Sequence, residues 1–479
     1  MAGLWCLLLV ALPGGALPLF SRRSPPEKPL LAQLKGDAPG LGKTAISAGD
    51  PKILLKYRTS MGVVVDPTLD ADLNAILGRL QAAWPDAPPP ARVHVIPDSD
   101  FNARTHVSGD IFVAAGALES MESEDEVAAM LAHEYSHVLL HHLHDSKLDE
   151  AAGGVFTAAM LYAMYRNGKK PDDAALLRQV GMGVLAMETV SSGLVPAMTR
   201  RDEDEADRLG MDLMIRAGYN PVAMPTVLER MIDWEARDAA AARARQQQAA
   251  RLDDAIRTES NGQVQLDLTP VVNAVFADIS AGIGKLMGKL RRQHADAAQR
   301  REHAKDYLRV AHADAQRPAL RPIPWAKRRQ VQALFAGLAK TREAWGLVGR
   351  EDGADRAKAR ALAEQAHKSP AGKSALPRYL AAILSPGDKT PALLAAETKA
   401  GDSLIRAHLD YIEAMGARDH ALGTSAYERA RAVFGDDPQL QPYAARFAPA
   451  RPGNPALAGL CDNLEGALKA TCQSLAKGS

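Results

Sequence analysis

Residues 131–137 read Leu-Ala-His-Glu-Tyr-Ser-His, and the two histidines four positions apart constrain this chain more than any other stretch. On an α-helix, residues i and i+4 stand one above the other, about 6 Å apart. The imidazoles of His133 and His137 can therefore close on one metal ion, with Glu134 beside them to take a proton from water. The segment carries the marks of a helix with a defined start. Ser123 and Glu126 have the spacing of a capping box, and Val127, Met130, Leu131, Val138 and Leu139 form an apolar stripe reaching to about His142. Alone, the five-residue pattern also fits an amphipathic helix with solvated histidines; the capped start and apolar neighbours favour a metal.

A catalytic zinc site takes three protein ligands and keeps one position open. A third histidine following a glycine break is excluded, because Leu140 and Leu143 occupy those two positions. His141 continues the i, i+4 series but lies about 12 Å along the axis from His133. With His142 and His144 it reads as a solvated helix end, favoured by the negative C-terminal dipole. A better source is the run Thr199-Arg200-Arg201-Asp202-Glu203-Asp204-Glu205-Ala206-Asp207. In a helix, Glu203 and Asp207 share a face one turn apart, so Glu203 can bind the metal while Asp207 accepts a hydrogen bond from a ligand histidine. An acidic, solvated helix face is the other reading of this run taken by itself.

The 479 residues are enough for about two or three domains. With 58 Lys plus Arg against 57 Asp plus Glu, charge gives no reason to expect a nucleic-acid partner. Alanine-rich composition with few aromatics points to a mainly helical chain with short strands. Residues 1–20 read as a signal peptide, although no Lys or Arg precedes the apolar run; an uncleaved anchor or a buried helix is the alternative. Residues 21–50 read as a linker. Gly40-Leu41-Gly42-Lys43-Thr44 imitates the end of a phosphate-binding loop, but Asp37 stands where its first glycine belongs. A helix is expected near 67–84 and strands at Arg92–Ile96 and Gly109–Leu118. The apolar stretches 153–164 and 178–197 are too short or too interrupted to span a membrane and read as core helices or a membrane-surface contact. Residues 236–256 form a polar helix inside an expected insertion at 236–293. Beyond 330 the chain reads as all helical, with degenerate tetratricopeptide-like pairs and a non-repeating arrangement both open. Cys461 and Cys472 are either a disulfide or two buried thiols.

With HExxH at 133–137 and Thr-Arg-x-x-Glu-x-Glu-Ala-Asp at 199–207, the sequence resembles the zinc metallopeptidases that include HtpX, the CAAX prenyl protease, OMA and BepA. Asn102-Ala103, Gly109-Asp110-Ile111-Phe112-Val113, Gly116-Ala117-Leu118 and Ala217-Gly218-Tyr219-Asn220-Pro221 extend the likeness over about 90–235, and the BepA-like periplasmic branch is the nearest. The resemblance implies an α+β, mainly helical fold: a zincin-like (gluzincin) domain with a small sheet at 51–330, then an all-α domain at 331–479. It implies one Zn²⁺ held by His133, His137 and Glu203 rather than Glu205, with Glu134 as general base. Gly109, Asp110, Ile111, Phe112 and Val113 would form the cleft edge to which an extended substrate adds. The BepA-like branch has a short H-P-x-x-x-x-R motif whose histidine plugs the open zinc position. His294 and Arg300 keep its spacing, with Ala295 in place of the proline. Either residue would also serve as an oxyanion group, and a basic solvated helix over 291–301 is the bland alternative. The expected activity is endoproteolysis of unfolded or misassembled proteins in the periplasm, with partners recruited through the C-terminal helices. The competing expectation is a noncatalytic chaperone or adaptor with a structural zinc. A membrane-embedded prenyl-protein peptidase would need several long apolar spans that the sequence lacks.

Overall fold

The computed structural model describes residues 28–34, 48–49, 51–142, 199–259, 296–348 and 353–447. Outside them lie the expected signal peptide, most of the linker with its loop-like glycines, the stretches 153–164 and 178–197, His144, His294, Cys461 and Cys472.

A single turn, α1 (Leu30–Gln33), and α2 (Pro51–Arg58) precede the first long helix, α3 (Pro67–Ala82). Asp66 starts α3 by accepting from the Thr68 and Leu69 amides, and Pro67 supplies a first position that needs no donor. Its buried stripe of Leu69, Leu73, Ile76, Leu77 and Leu80 packs on a three-stranded sheet of β1 (Arg92–Ile96), β2 (Ala103–Thr105) and β3 (Asp110–Ala114). The spatial order is β1-β3-β2. β1 runs parallel to β3 with Val93 opposite Ile111, and β2 runs antiparallel with Arg104 opposite Phe112. Gly109 enters β3 at φ +91°, where a Cβ would also run into the Pro90 carbonyl.

Two expectations about this strand change. The strand ends at Ala114, opposite Ile96 at the end of β1 and one residue past its last partner in β2, and α4 (Ala115–Ser120) takes over the residues expected to continue it. β3 is also the middle strand, with its main chain paired on both sides. Gly109–Val113 therefore cannot be a free cleft edge. Among the described residues, the sheet's edges are β1 and β2, and β2 is the one that packs against α5 (Glu124–Leu139).

α5 (Glu124–Leu139) is buried along its whole length rather than along one stripe. Only half of the expected capping box forms. Ser123 Oγ accepts from the Glu126 amide, whereas the Glu126 carboxylate accepts from the Glu122 amide and from Arg230. The other buried acids of the first turn are also partnered: Glu124 by Arg79 and Tyr219, and Asp125 by the Asn220 and Arg321 amides. α6 (Arg200–Arg216) lies directly against α5. Gly210 permits the approach, since a Cβ there would sit 3.2 Å from the His133 amide nitrogen. α7 (Ala223–Glu259) is one continuous helix, so the polar segment expected to open an insertion at 236 continues a helix begun at Ala223. α8 (Ala297–Val310) packs on both α6 and α7.

The rest is helical: α9 (Arg329–Leu347), α10 (Gly353–Lys368), α11 (Ala375–Ile383), α12 (Thr390–Glu397), α13 (Ile405–Gly416), α14 (His420–Phe434) and α15 (Gln441–Phe447), with short 3-10 turns at 370–373 and 438–440. The expected boundary at 330 is not where the cores divide. α9 places Val331, Leu334 and Leu338 in the first core and Ala344 and Leu347 in the next. α2, at the other end of the sequence, packs Leu55 among the last helices, and Arg58 donates to the Ser403 carbonyl at 2.8 Å. Among the described residues, no helix is long and apolar enough to cross a membrane.

Candidate metal centre

α5 presents His133 and His137 one turn apart, and α6 brings Glu203 against both. The two Nε2 atoms lie 3.1 Å apart, and the Glu203 carboxylate oxygens lie 3.6 Å from that of His133 and 3.7 Å from that of His137. Ligand bonds of 2.0–2.1 Å at tetrahedral angles would space donor atoms roughly 3.3–3.4 Å apart, so these residues fit a zinc ion. All three are buried, and they are the one group of this kind among the described residues. The surrounding charge also suits a cation: Glu134, Glu203 and Asp207 against Arg300 leave a formal charge of −2.

Each histidine is held from behind. His133 Nδ1 lies 2.8 Å from Asp207 Oδ1, one turn beyond Glu203 on α6. Donation to that carboxylate leaves the His133 Nε2 lone pair facing Glu203 and His137. Arg300 Nη2 is 3.2 Å from the same Nδ1, but two donors cannot bond each other, and its hydrogens go to Asp207. Burial alone would push the Asp207 carboxyl up; the Arg300 guanidinium and His133 hold it instead at about 2.

Arg300 arrives from the first turn of α8, which Asp296 caps by accepting from the Ala298 and Gln299 amides. It grips Asp207 with two parallel bonds of 2.8 and 2.6 Å and reaches Glu203 Oε2 at 2.7 Å, with 3 % of its side chain exposed. The guanidinium thus joins the ligand carboxylate of Glu203 to Asp207 behind His133 instead of standing free as an oxyanion group. It is not part of a solvated helix face.

His137 is backed by His142, which the sequence had placed at a solvated helix end. α5 closes with a Schellman turn: the His142 amide donates to the His137 carbonyl and the His141 amide to that of Val138, with His141 at φ +54°. The reversal lays His142 Nδ1 3.0 Å from His137 Nδ1, while its Nε2 points toward Glu205 at 3.6 Å and Asp202 at 3.9 Å. Burial pushes the His142 imidazole below its ordinary value despite those acids. Only the turn reveals this contact.

Glu134, 3 % exposed, receives a 2.7 Å hydrogen bond on Oε2 from Thr105 Oγ1 of β2. Sequence reading missed both β2 and Thr105, because three residues centred on an arginine carry no legible alternation.

Comparison with known proteins matches the part of the chain that holds this centre. The profile of peptidase family M48 matches residues 67–307, which contain every side chain of this centre. The chain is 27 % identical over 230 residues to the putative beta-barrel assembly-enhancing protease of Vibrio cholerae, covering 47 % of this chain and 46 % of that one. It is 27 % identical over 220 residues to the beta-barrel assembly-enhancing protease of Escherichia coli, covering 43 % of each. To the mitochondrial metalloendopeptidase OMA1 of Schizosaccharomyces pombe it is 32 % identical over 157 residues, covering 33 % of this chain and 40 % of that one. The chain thus spans less than half the length of each of these relatives.

Proposed function

The chain belongs to peptidase family M48, and from that premise we propose that it is a zinc-dependent endopeptidase acting on unfolded or misassembled protein chains. The observation that carries the reading is the convergence of His133, His137 and Glu203 on one point with Glu134 beside them. Those three residues hold the ion, and Asp207 and His142 fix the ring orientation of the two histidines. When bound, Zn²⁺ polarises a carbonyl oxygen and makes water more acidic. Glu134 takes a proton from the attacking water as the water oxygen bonds to the scissile carbonyl carbon. It passes that proton to the amide nitrogen as the C–N bond breaks, so one water is consumed and a carboxyl and an amino end are released. The outer edge of β2, unpaired among the described residues, is where an extended substrate adds through main-chain bonds, which favours unfolded segments over particular side chains.

The N-terminal apolar run and the relatives named for β-barrel assembly support a periplasmic role in envelope quality control, with α9–α15 recruiting partners. His294, six residues before Arg300, is the residue we assign to closing the open position of the ion in a resting form. The competing reading is an adaptor with a structural zinc, which has no use for a carboxylate at position 134.

Zinc content and cleavage of unfolded casein, compared between the wild type, Glu134→Gln and His294→Ala, test the proposal. Cleavage by the wild type or by His294→Ala, abolished in a Glu134→Gln protein that still holds zinc, is the expected result. Zinc in all three with cleavage by none favours the adaptor, and no zinc in any removes the ligand assignment.

A further inference from the structure

The structure assigns Thr105 a part in the reaction: we propose that its hydroxyl is the positioning group for the Glu134 carboxylate, tying the edge strand of the sheet to the general base. The inference rests on the endopeptidase reading and goes beyond it to a residue that neither HExxH nor the α6 motif contains.

Among the described residues, Glu134 has one side-chain hydrogen-bond donor, Thr105 Oγ1, at 2.7 Å from Oε2. The same hydroxyl lies 3.2 Å from the Glu134 main-chain oxygen, but it has one proton to give, and the shorter contact to a charged oxygen takes it. Both side chains are buried, Thr105 at 6 % exposure and Glu134 at 3 %. Oε2 is thereby occupied, and Oε1 is left as the oxygen that receives the proton from water. A glutamate without this contact would have a terminal carboxylate torsion with a broad, soft profile. A β-branched residue on a strand, in contrast, has few χ1 choices. β2 turns Ala103 and Thr105 toward α5 and leaves Arg104 on the other face, so the hydroxyl is aimed by the strand itself. A substrate strand added to the outer edge of β2 would bond to the main chain next to the residue that orients the base. The edge and the base are held by one three-residue element.

The test uses the full-length zinc-loaded protein and unfolded, fluorescein-labelled casein, with Thr105→Val, which keeps the shape and removes the hydroxyl, and Thr105→Ser, which restores it. Thr105→Val is expected to lower kcat about tenfold, with KM within twofold and one zinc bound, and to lower Tm by a few degrees because a buried carboxylate oxygen loses its donor. Thr105→Ser should recover to within about threefold of wild type. A Thr105→Val enzyme with wild-type kcat overturns the proposal, as does a Thr105→Ser enzyme as slow as Thr105→Val, which would make packing and not the hydroxyl responsible. A change confined to KM would place Thr105 in substrate binding instead. The hydrogen bond is also read without activity. In the metal-free protein, the antisymmetric carboxylate stretch of Glu134, isolated as the infrared difference between wild type and Glu134→Gln, should shift in Thr105→Val and not in Thr105→Ser. No shift overturns the inference even if casein is cleaved. A shift in a protein that cleaves nothing removes the endopeptidase reading, and the proposed part in the reaction with it, while leaving the contact itself in place.

Discussion

Replacing Arg300 by methionine should cost the metal-free protein far more than the zinc-loaded one. Arg300 is 3 % exposed, and its guanidinium makes two hydrogen bonds to Asp207 and an ion pair with Glu203, carboxylates that are themselves 2 % and 0 % exposed. Methionine fills much of the volume but leaves both acids buried without their cation. Breaking a buried ion pair by removing one partner costs roughly 3–5 kcal/mol, because the remaining charge keeps its desolvation penalty. For a folding unit of about 150–250 residues, each kcal/mol moves Tm by roughly 2–4 °C, so the metal-free variant should melt about 6–20 °C lower. A dication at His133, His137 and Glu203 supplies positive charge to the same acids and should recover part of that loss. By linkage, zinc then stabilises the variant more than the wild type. Scanning calorimetry with EDTA and with excess zinc resolves this, the relevant transition being the one that zinc shifts. A metal-free variant within about 3 °C of wild type, or a loss equally large with zinc present, would refute the claim that Arg300 balances buried carboxylates at the metal centre.

Other residues give sharper single effects. His142→Ala removes the acceptor behind His137 and should weaken zinc binding about 10–100-fold with the fold intact, read by competition with a chelating dye. His141→Gly, at φ +54°, should stabilise the metal-free protein by about 0.5–1 kcal/mol in chemical denaturation, since glycine enters that region without a Cβ penalty. His408, buried under Ser403, has its imidazole pushed down from 6.5 to about 4, by burial first and then by Arg58 and Arg429. A base with a depressed folded value leaves stability intact above pH 6.5 and erodes it as pH falls toward 4. The helical part should therefore lose about 3 kcal/mol across that window, and His408→Gln should flatten the pH dependence of its melting.

What the sequence disclosed of the centre is what helical spacing converts into distance. His133 and His137 on α5, and Glu203 and Asp207 on α6, are each one turn apart, so their shared faces follow from offset alone. The approach of the two helices was not written in that way; it depends on Gly210, whose missing Cβ has meaning only once α5 lies against it. Contacts that depend on a chain reversal were hidden for a related reason. His142 reads as solvated at a helix end until the Schellman turn folds it back, and Thr105 joins Glu134 from a strand too short to show a period. β1 was legible from Arg92 to Ile96, but the order of the sheet was not, and it is order that puts β3 in the middle and leaves β2 as an edge. The boundary expected at 330 falls in the first turn of a helix whose packing spans two cores, which composition does not show. α9 carries one apolar face through two cores, and α2 leaves the N-terminal sequence to pack with the last helices. Tyr57 of that same α2 stacks on Phe112 of β3 at 3.7 Å, next to the strand that holds Thr105. The C-terminal helices and the sheet beside the general base therefore share a joint at α2, so cutting the chain at 330 would leave Tyr57 on Phe112 but strip from α2 the helices that pack around Leu55 and hold Arg58.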